Sequence, residues 1–233
     1  MEFKIKGTND PFLSIKLELN EQIHCESNSM ISLDDGLEIS AKVKNGILGA
    51  LSKKLLSNKS FFSQSIQSKS KNGEVLISPL LPGDIKILNI NENESFCLND
   101  GAFLAATDSV EINIKRQKTK VALFGGSGGF FINQTKGIGT LAITGFGSII
   151  EKKVSKESPL IVDNNFVLAW SDSLSQEVTI KSNNKNILHN LINSYKTGES
   201  ITNKFCGDGT VYLCSKNRKY YIKWLRYITT IAK

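Results

Sequence analysis

The chain repeats itself, and the repeat limits the architectures open to it. SMISLDDGLEISAK (29–42) aligns with AFLAATDSVEINIK (102–115), sharing Asp35/Asp108, Glu38/Glu111, Ile39/Ile112 and Lys42/Lys115. A third copy, FVLAWSDSLSQEVTIK (166–181), sets Asp172 and Ser173 opposite Asp108 and Ser109. NGEVLIS (72–78), GIGTLAIT (137–144) and GDGTVYLC (207–214) each place glycine ahead of a strand-forming run. Copies recur at offsets of roughly 63 to 73 residues, a spacing that marks tandem structural units. They predict three β units, at 1–78, 79–147 and 148–233. A unit of about 70 residues buries little apolar surface alone, so the units must pack on one another or on further chains.

The class expected is all-β. PFLSIKLEL, EVLIS, DIKILNI, EINIK, KVALF, TLAITGF, FVLAW, EVTIK and TVYLC are β-branched and aromatic runs bounded by Gly, Asn, Asp and Ser. Two short helices are expected within this frame. One is GILGALSKKLLS (46–57); the other lies near 185–197, with Ile187, Leu188, Leu191, Ile192 and Tyr195 at helical spacing and Gly198 as a stop.

FGGSGGFF (124–131) has the look of a phosphate cradle, but its context excludes one. A dinucleotide fingerprint needs GxGxxG opening a helix; counted from Gly126, the third glycine position is Phe131. The residues that follow read as strand, turn and strand, so no helix N-terminus faces a pyrophosphate. GxxxxGK[ST] is absent from the region. These glycines are expected to serve a tight β connection, with Phe130 and Phe131, like Phe61 and Phe62, packing where units meet.

ISPLLPGDIKIL (77–88), LNDGAFLAATDSVEI (98–112), GSGGFF followed by KGIGTLAITGFGSI, and LIVDNNFVLAW (160–170) together resemble the altered-inheritance-of-mitochondria (Aim twenty-four) family. The likeness runs from about Gly46 to Leu213, with four motifs in order. It implies a fold like the tryptophan RNA-binding attenuation protein: three tandem β-sandwich or double-stranded β-helix-like units per chain, forming a ring-like homotrimer. Some members are associated with mitochondrial inner-membrane organisation. Two departures stand out. Asn58-Lys59 replaces a Gly-Glu pair kept only as Gly198-Glu199, and Gly128 stands where a glutamate is common.

Little in the sequence supports catalysis. His24 and His189 are too few for a cupin-type metal site and are expected as partly exposed strand or helix residues. Cys25, Cys97, Cys206 and Cys214 include no CxxC pair; Cys206 and Cys214 flank a Gly-Asp-Gly turn and could approach across a hairpin, but a thiol pair without neighbouring Cys or His ligands is a weak zinc site, and structural cysteines are expected. No serine sits in a GxSxG elbow. Asp35, Asp108 and Asp172 hold matching places, which argues for turns bonded to their own backbone. No cofactor, metal or catalytic residue is expected, and the reading is non-enzymatic.

The start shows no secretory signal or transit peptide, and no run of 18 apolar residues occurs. A reduced, cytoplasmic, soluble protein is expected, or a mitochondrial one in a eukaryotic source. The formal charge is +7, which permits anionic partners. Much of that excess lies at the end: from Lys216 onward there are six basic residues and no acid, with four of the seven Trp and Tyr residues. As a helix, Tyr221, Trp224, Leu225, Ile228 and Ile231 form an apolar stripe opposite Lys223, Arg226 and Lys233. Three roles fit: a solvated terminal strand or helix docked on the ring, an anchor on an anionic bilayer, or a single-stranded nucleic-acid contact. The candidate residues for contact with an anionic membrane surface or a protein partner are Arg218, Lys219, Lys223, Trp224, Arg226 and Tyr227. The function expected is a β-ring scaffold or binding protein; the alternative is a nucleic-acid or small-ligand module of attenuation-protein type.

Overall fold

The computed structural model describes residues 1–42, 63–116, 131–180 and 201–231. The described residues are predominantly β, in several antiparallel sheets, with one α-helix. After β1 (Glu2–Lys6) come β2 (Phe12–Leu17), β3 (Gln22–Glu26), β4 (Met30–Leu33), β5 (Leu37–Lys42), β6 (Ser63–Ser68) and β7 (Gly73–Ile77). Next are β8 (Ile85–Ile90), β9 (Phe96–Leu98), β10 (Phe103–Thr107), β11 (Val110–Arg116), β12 (Phe131–Gly137) and β13 (Gly139–Thr144). The last are β14 (Ile149–Val154), β15 (Leu160–Asp163), β16 (Val167–Ser171), β17 (Ser175–Ile180), β18 (Ile201–Cys206) and β19 (Gly209–Cys214), before helix α1 (Arg218–Ile231). The two expected helices at 46–57 and 185–197, the strand KVALF, and Phe61, Phe62 and Phe130 lie outside the described residues.

One pairing scheme recurs from β2 onward. β2 pairs with β7 and β7 with β4; β8 pairs with β13 and β13 with β10; β14 pairs with β19 and β19 with β16. Likewise β3, β9 and β15 pair with β6, β12 and β18, which pair in turn with β5, β11 and β17. A register break falls at the same place each time, at Met30/Ser32, Phe103/Ala105 and Val167/Ala169. A bulge conserved in position re-aims one side chain and sharpens the local twist.

Two further pairings join these sets. β3 pairs with β10, and β9 pairs with β16, so each joint merges two three-stranded sheets into one of six. The joint strands read as continuous buried runs, FLAAT and VLAWS, because both their faces meet other layers. Alanines at 105, 106, 142 and 169, all at 0% exposure, let those layers approach closely. Around them Leu104, Phe96, Trp170 and Phe205 fill the interior, the last two with ring centroids 5.6 Å apart. Cutting such a leucine back to alanine costs about 2–5 kcal/mol.

The glycines ahead of the strands answer to this packing. A Cβ on Gly139 would stand 2.1 Å from Thr107 Oγ1, and one on Gly209 2.9 Å from Leu174 Cγ. In both cases the strand starts directly beneath the turn that leaves the joint strand. Only a residue without a side chain fits there.

Three expectations change. The repeated aspartates do not bond their own backbone; Asp108 and Asp172 reach across the joints, as detailed below. His24 is buried at 6% exposure in β3, because its strand lies at the centre of a six-stranded sheet. Cys206 and Cys214 do not face each other across a hairpin, since β18 and β19 belong to different sheets. None of the four cysteines is in a disulfide, and three of them are buried.

Candidate binding surface

Helix α1 begins where the sheets end. Ser215 N–H donates to the Ser148 carbonyl and Lys216 N–H to that of Phe146, while Ser148 N–H donates to Ser215 Oγ at 2.8 Å. This ties the exit from β19 to the 146–148 segment. Asn217 then caps the helix: its buried side chain accepts from Tyr220 N–H at 3.1 Å, satisfying a first-turn donor. The sequence RKYYIKWLRYITTI contains no glycine or proline to break it.

The helix docks by a narrow edge. Tyr221 packs on Phe146 with centroids 4.8 Å apart, and Lys216 Nζ sits 5.5 Å from the same ring, so Phe146 is held from two sides. Tyr221, Ile222 and Leu225 are half-buried. Trp224 and Ile228 of the expected apolar stripe turn outward, at 54% and 37% exposed. Tyr220 and Tyr227 join them at 52% and 65%. Positions 220, 224, 227 and 228 share one face at spacings of three and four, and exposed Lys219, Lys223 and Arg226 flank it. The exposed side of α1 is thus amphipathic in itself, an aromatic strip edged by cations.

Of the six residues singled out in the sequence, Lys219, Lys223, Trp224, Arg226 and Tyr227 lie on this outward surface. Arg218, also exposed, stands apart from them at the start of the helix. Its guanidinium lies over Gly101, where a Cβ would come within 2.6 Å of Nη1; burial raises the Glu26 carboxyl above its ordinary value, against the pull of the Arg218 charge and with a further push from Asp100. Tyr220, missed in the sequence reading, belongs to the strip; its spacing of four from Trp224 was the available signal.

A second polar constellation lies inside the fold. His24 Nδ1 is 2.9 Å from Ser65 Oγ, and its Nε2 is 2.6 Å from Asp108 Oδ1. The residue types are those of a nucleophilic triad, but the exposure is reversed. Ser65 is 1% exposed on β6, which is paired on both sides by β3 and β5, while Asp108 is the outer member. A serine shut off from solvent has no approach for a substrate. At the other joint Asp172 bonds Cys97 Sγ at 3.1 Å and Gln134 Nε2, so the aspartates tie together the two strand sets that share each six-stranded sheet. Among the described residues, no three His, Cys, Asp or Glu side chains gather as a metal site, and no helix is long and apolar enough to cross a membrane.

The family model for mitochondrial biogenesis AIM24 matches residues 3–216. The chain belongs to the AIM24 family. A relative described as an uncharacterized protein of Streptococcus pyogenes serotype M6 is 32% identical over 240 residues, covering 99% of this chain and 92% of the other. A crystal structure of a Streptococcus pyogenes protein superposes with a TM-score of 0.79 at 28% identity, covering 97% and 99% of the two chains. The AIM24 match stops at residue 216, two positions short of α1, so the role of the helix has to come from its own chemistry.

Proposed function

We propose that this AIM24-family protein is a non-enzymatic scaffold that docks on an anionic lipid surface through the outward side of α1. The observation that carries the reading is the row Tyr220, Trp224, Tyr227 and Ile228, exposed beside Lys219, Lys223 and Arg226 with no acid after Asp208. Indole and phenol rings prefer the headgroup boundary, where the ring is half wet and half dry. Flanking cations add about 1 kcal/mol each against an anionic leaflet. Single-stranded nucleic acid is the second reading. It is disfavoured because the Trp224 ring is already stacked on Tyr221, with centroids 5.9 Å apart, which takes one face from an incoming base.

The scaffold reading includes self-assembly. Three tandem units of attenuation-protein type in each chain, and three chains in a closed ring, would set three α1 helices in one assembly and multiply a weak contact by avidity. Flotation with phosphatidylglycerol-containing liposomes tests the docking. The full chain should float, and the chain lacking 216–233 should stay at the bottom; equal flotation of the two removes α1 from the mechanism. Light scattering tests the assembly, which a clean monomer of 25.7 kDa would overturn.

A further inference from the structure

Two strands stand open where the pairing scheme calls for a neighbour. β3 is joined to β10, and β9 to β16. The strand in the third set that corresponds to β3 and β9 is β15, and the strand in the first set that corresponds to β10 and β16 is β4. Among the described residues β15 and β4 are the edges of their sheets. An unpaired edge is a template for pairing with another chain.

Side chains on these edges are those of a joint, not of a solvent-facing rim. Ladder partners put Met30 and Ile31 in the places of Phe103 and Leu104 and of Val167 and Leu168. At the closed joints those four residues are 4%, 0%, 4% and 8% exposed; on β4 Met30 and Ile31 stand at 38% and 54%. Ile161 takes the place of His24 and Cys97, which are 6% and 5% exposed, and is itself at 63%. The same positions are apolar in all but one case, and buried wherever a joint is closed.

The charges point the same way. At the closed joints the aspartate after the joint strand donates its backbone N–H across the gap, Asp108 to the Gln22 carbonyl and Asp172 to that of Ser95. Its carboxylate then takes partners from the neighbouring set, His24 and Gln22 for Asp108, Cys97 and Gln134 for Asp172. Asp35 is the third such aspartate. Its side chain is 98% exposed and, among the described residues, held only by Lys71 at 3.2 Å, itself an exposed residue. In the third set, the place of Gln134 is taken by Lys204.

We infer that β4 and β15 are the two halves of one more joint of this kind, closed between two copies of the chain, with Asp35 of one copy bound to Lys204 of the next. The inference rests on the self-assembly reading and names its interface. Carried over from the closed joints, the register sets Ser32 opposite Val162, Leu33 opposite Ile161 and Asp34 opposite Leu160. Because the two edges sit on different sets, the contact is head-to-tail, and successive copies either close a ring or extend.

The test is light scattering and crosslinking of the full chain. The wild-type protein should be an oligomer; Asp35→Lys and Lys204→Asp should each reduce the mass to that of one chain, 25.7 kDa, and the two changes combined should restore it. Restoration also separates a broken interface from a broken fold. Should a single variant misfold, Leu33→Cys with Ile161→Cys serves instead: a short bismaleimide should link copies through that pair, and not through Ser40→Cys with Ile161→Cys. An oligomer that ignores the charge swaps and leaves the Leu33–Ile161 pair unlinked overturns the joint while sparing assembly by another surface. A monomeric wild-type chain overturns both the joint and the assembly reading.

Discussion

The Asp108 carboxylate lies 2.6 Å from Nε2 of His24 and crosses from one sheet set to the next to reach it. The imidazole is buried, and Ser65 holds its other nitrogen. Asp108→Ala therefore strips a buried ring of a polar partner and leaves Gln22 without its acceptor. The expected loss is about 1–3 kcal/mol, read as a lower urea midpoint at unchanged m-value.

Gly139→Ala should be costly for a different reason. The added methyl meets Thr107 Oγ1 at 2.1 Å and Ser109 Oγ at 2.8 Å, and Thr107 Oγ1 is fixed by accepting from Thr140 N–H. The strand start must move, at about 1–3 kcal/mol. Differential scanning calorimetry should show a lower Tm, and Thr107→Ser should not recover it, because the offending oxygen remains.

Two carboxylates give stability opposite slopes with pH. Hydrogen bonds from Ser14 and then Lys6 hold Glu74 below its ordinary 4.5. Folding then favours the ionised form, so this contribution is present above 4.5 and is lost as pH falls through the lowered value. Burial lifts Glu26 above 4.5, against the pull of Arg218. Folding there favours the protonated form, and the contribution is full below 4.5 and lost as pH rises through the raised value. Urea titrations across acid pH should show Glu74→Gln with a flatter acid limb. Glu26→Gln should show a smaller decline on the upper side. A parallel shift in both variants at every pH would contradict the assignment.

The strand content and the repeat were legible because each rests on a local signal: period-two patterning in runs such as EINIK, and matching residues at fixed offsets. Sheet membership was not legible. GDGTVYLC looks like a hairpin with what precedes it, yet β18 and β19 belong to different sheets, since the turn serves as a corner between layers. Asp108 and His24 stand 84 positions apart, and only long-range pairing brings β3 beside β10. On the surface the basic aromatic tail was visible in composition alone. Which side of it faces out depended on Phe146 capturing Tyr221, a contact between residues with no sequence relation.

That capture separates two tyrosines and one tryptophan on the same helix. Tyr221 is the docked ring, so Tyr221→Ala removes its packing on Phe146 and should destabilise the seating of α1, seen as faster amide exchange across 218–231. Trp224 stacks on Tyr221, but at 54% and 65% exposure neither it nor Tyr227 fills the interior. Replacing both with alanine should leave stability within about 0.5 kcal/mol of wild type. The same double change should abolish liposome flotation, since it removes most of the ring area available to a headgroup layer. Should flotation survive it with stability intact, the aromatic strip is not the docking element, and Lys219, Lys223 and Arg226 alone would have to account for binding. In that case flotation should vanish on raising salt from low to about 0.5 M, where the screening length falls below about 5 Å.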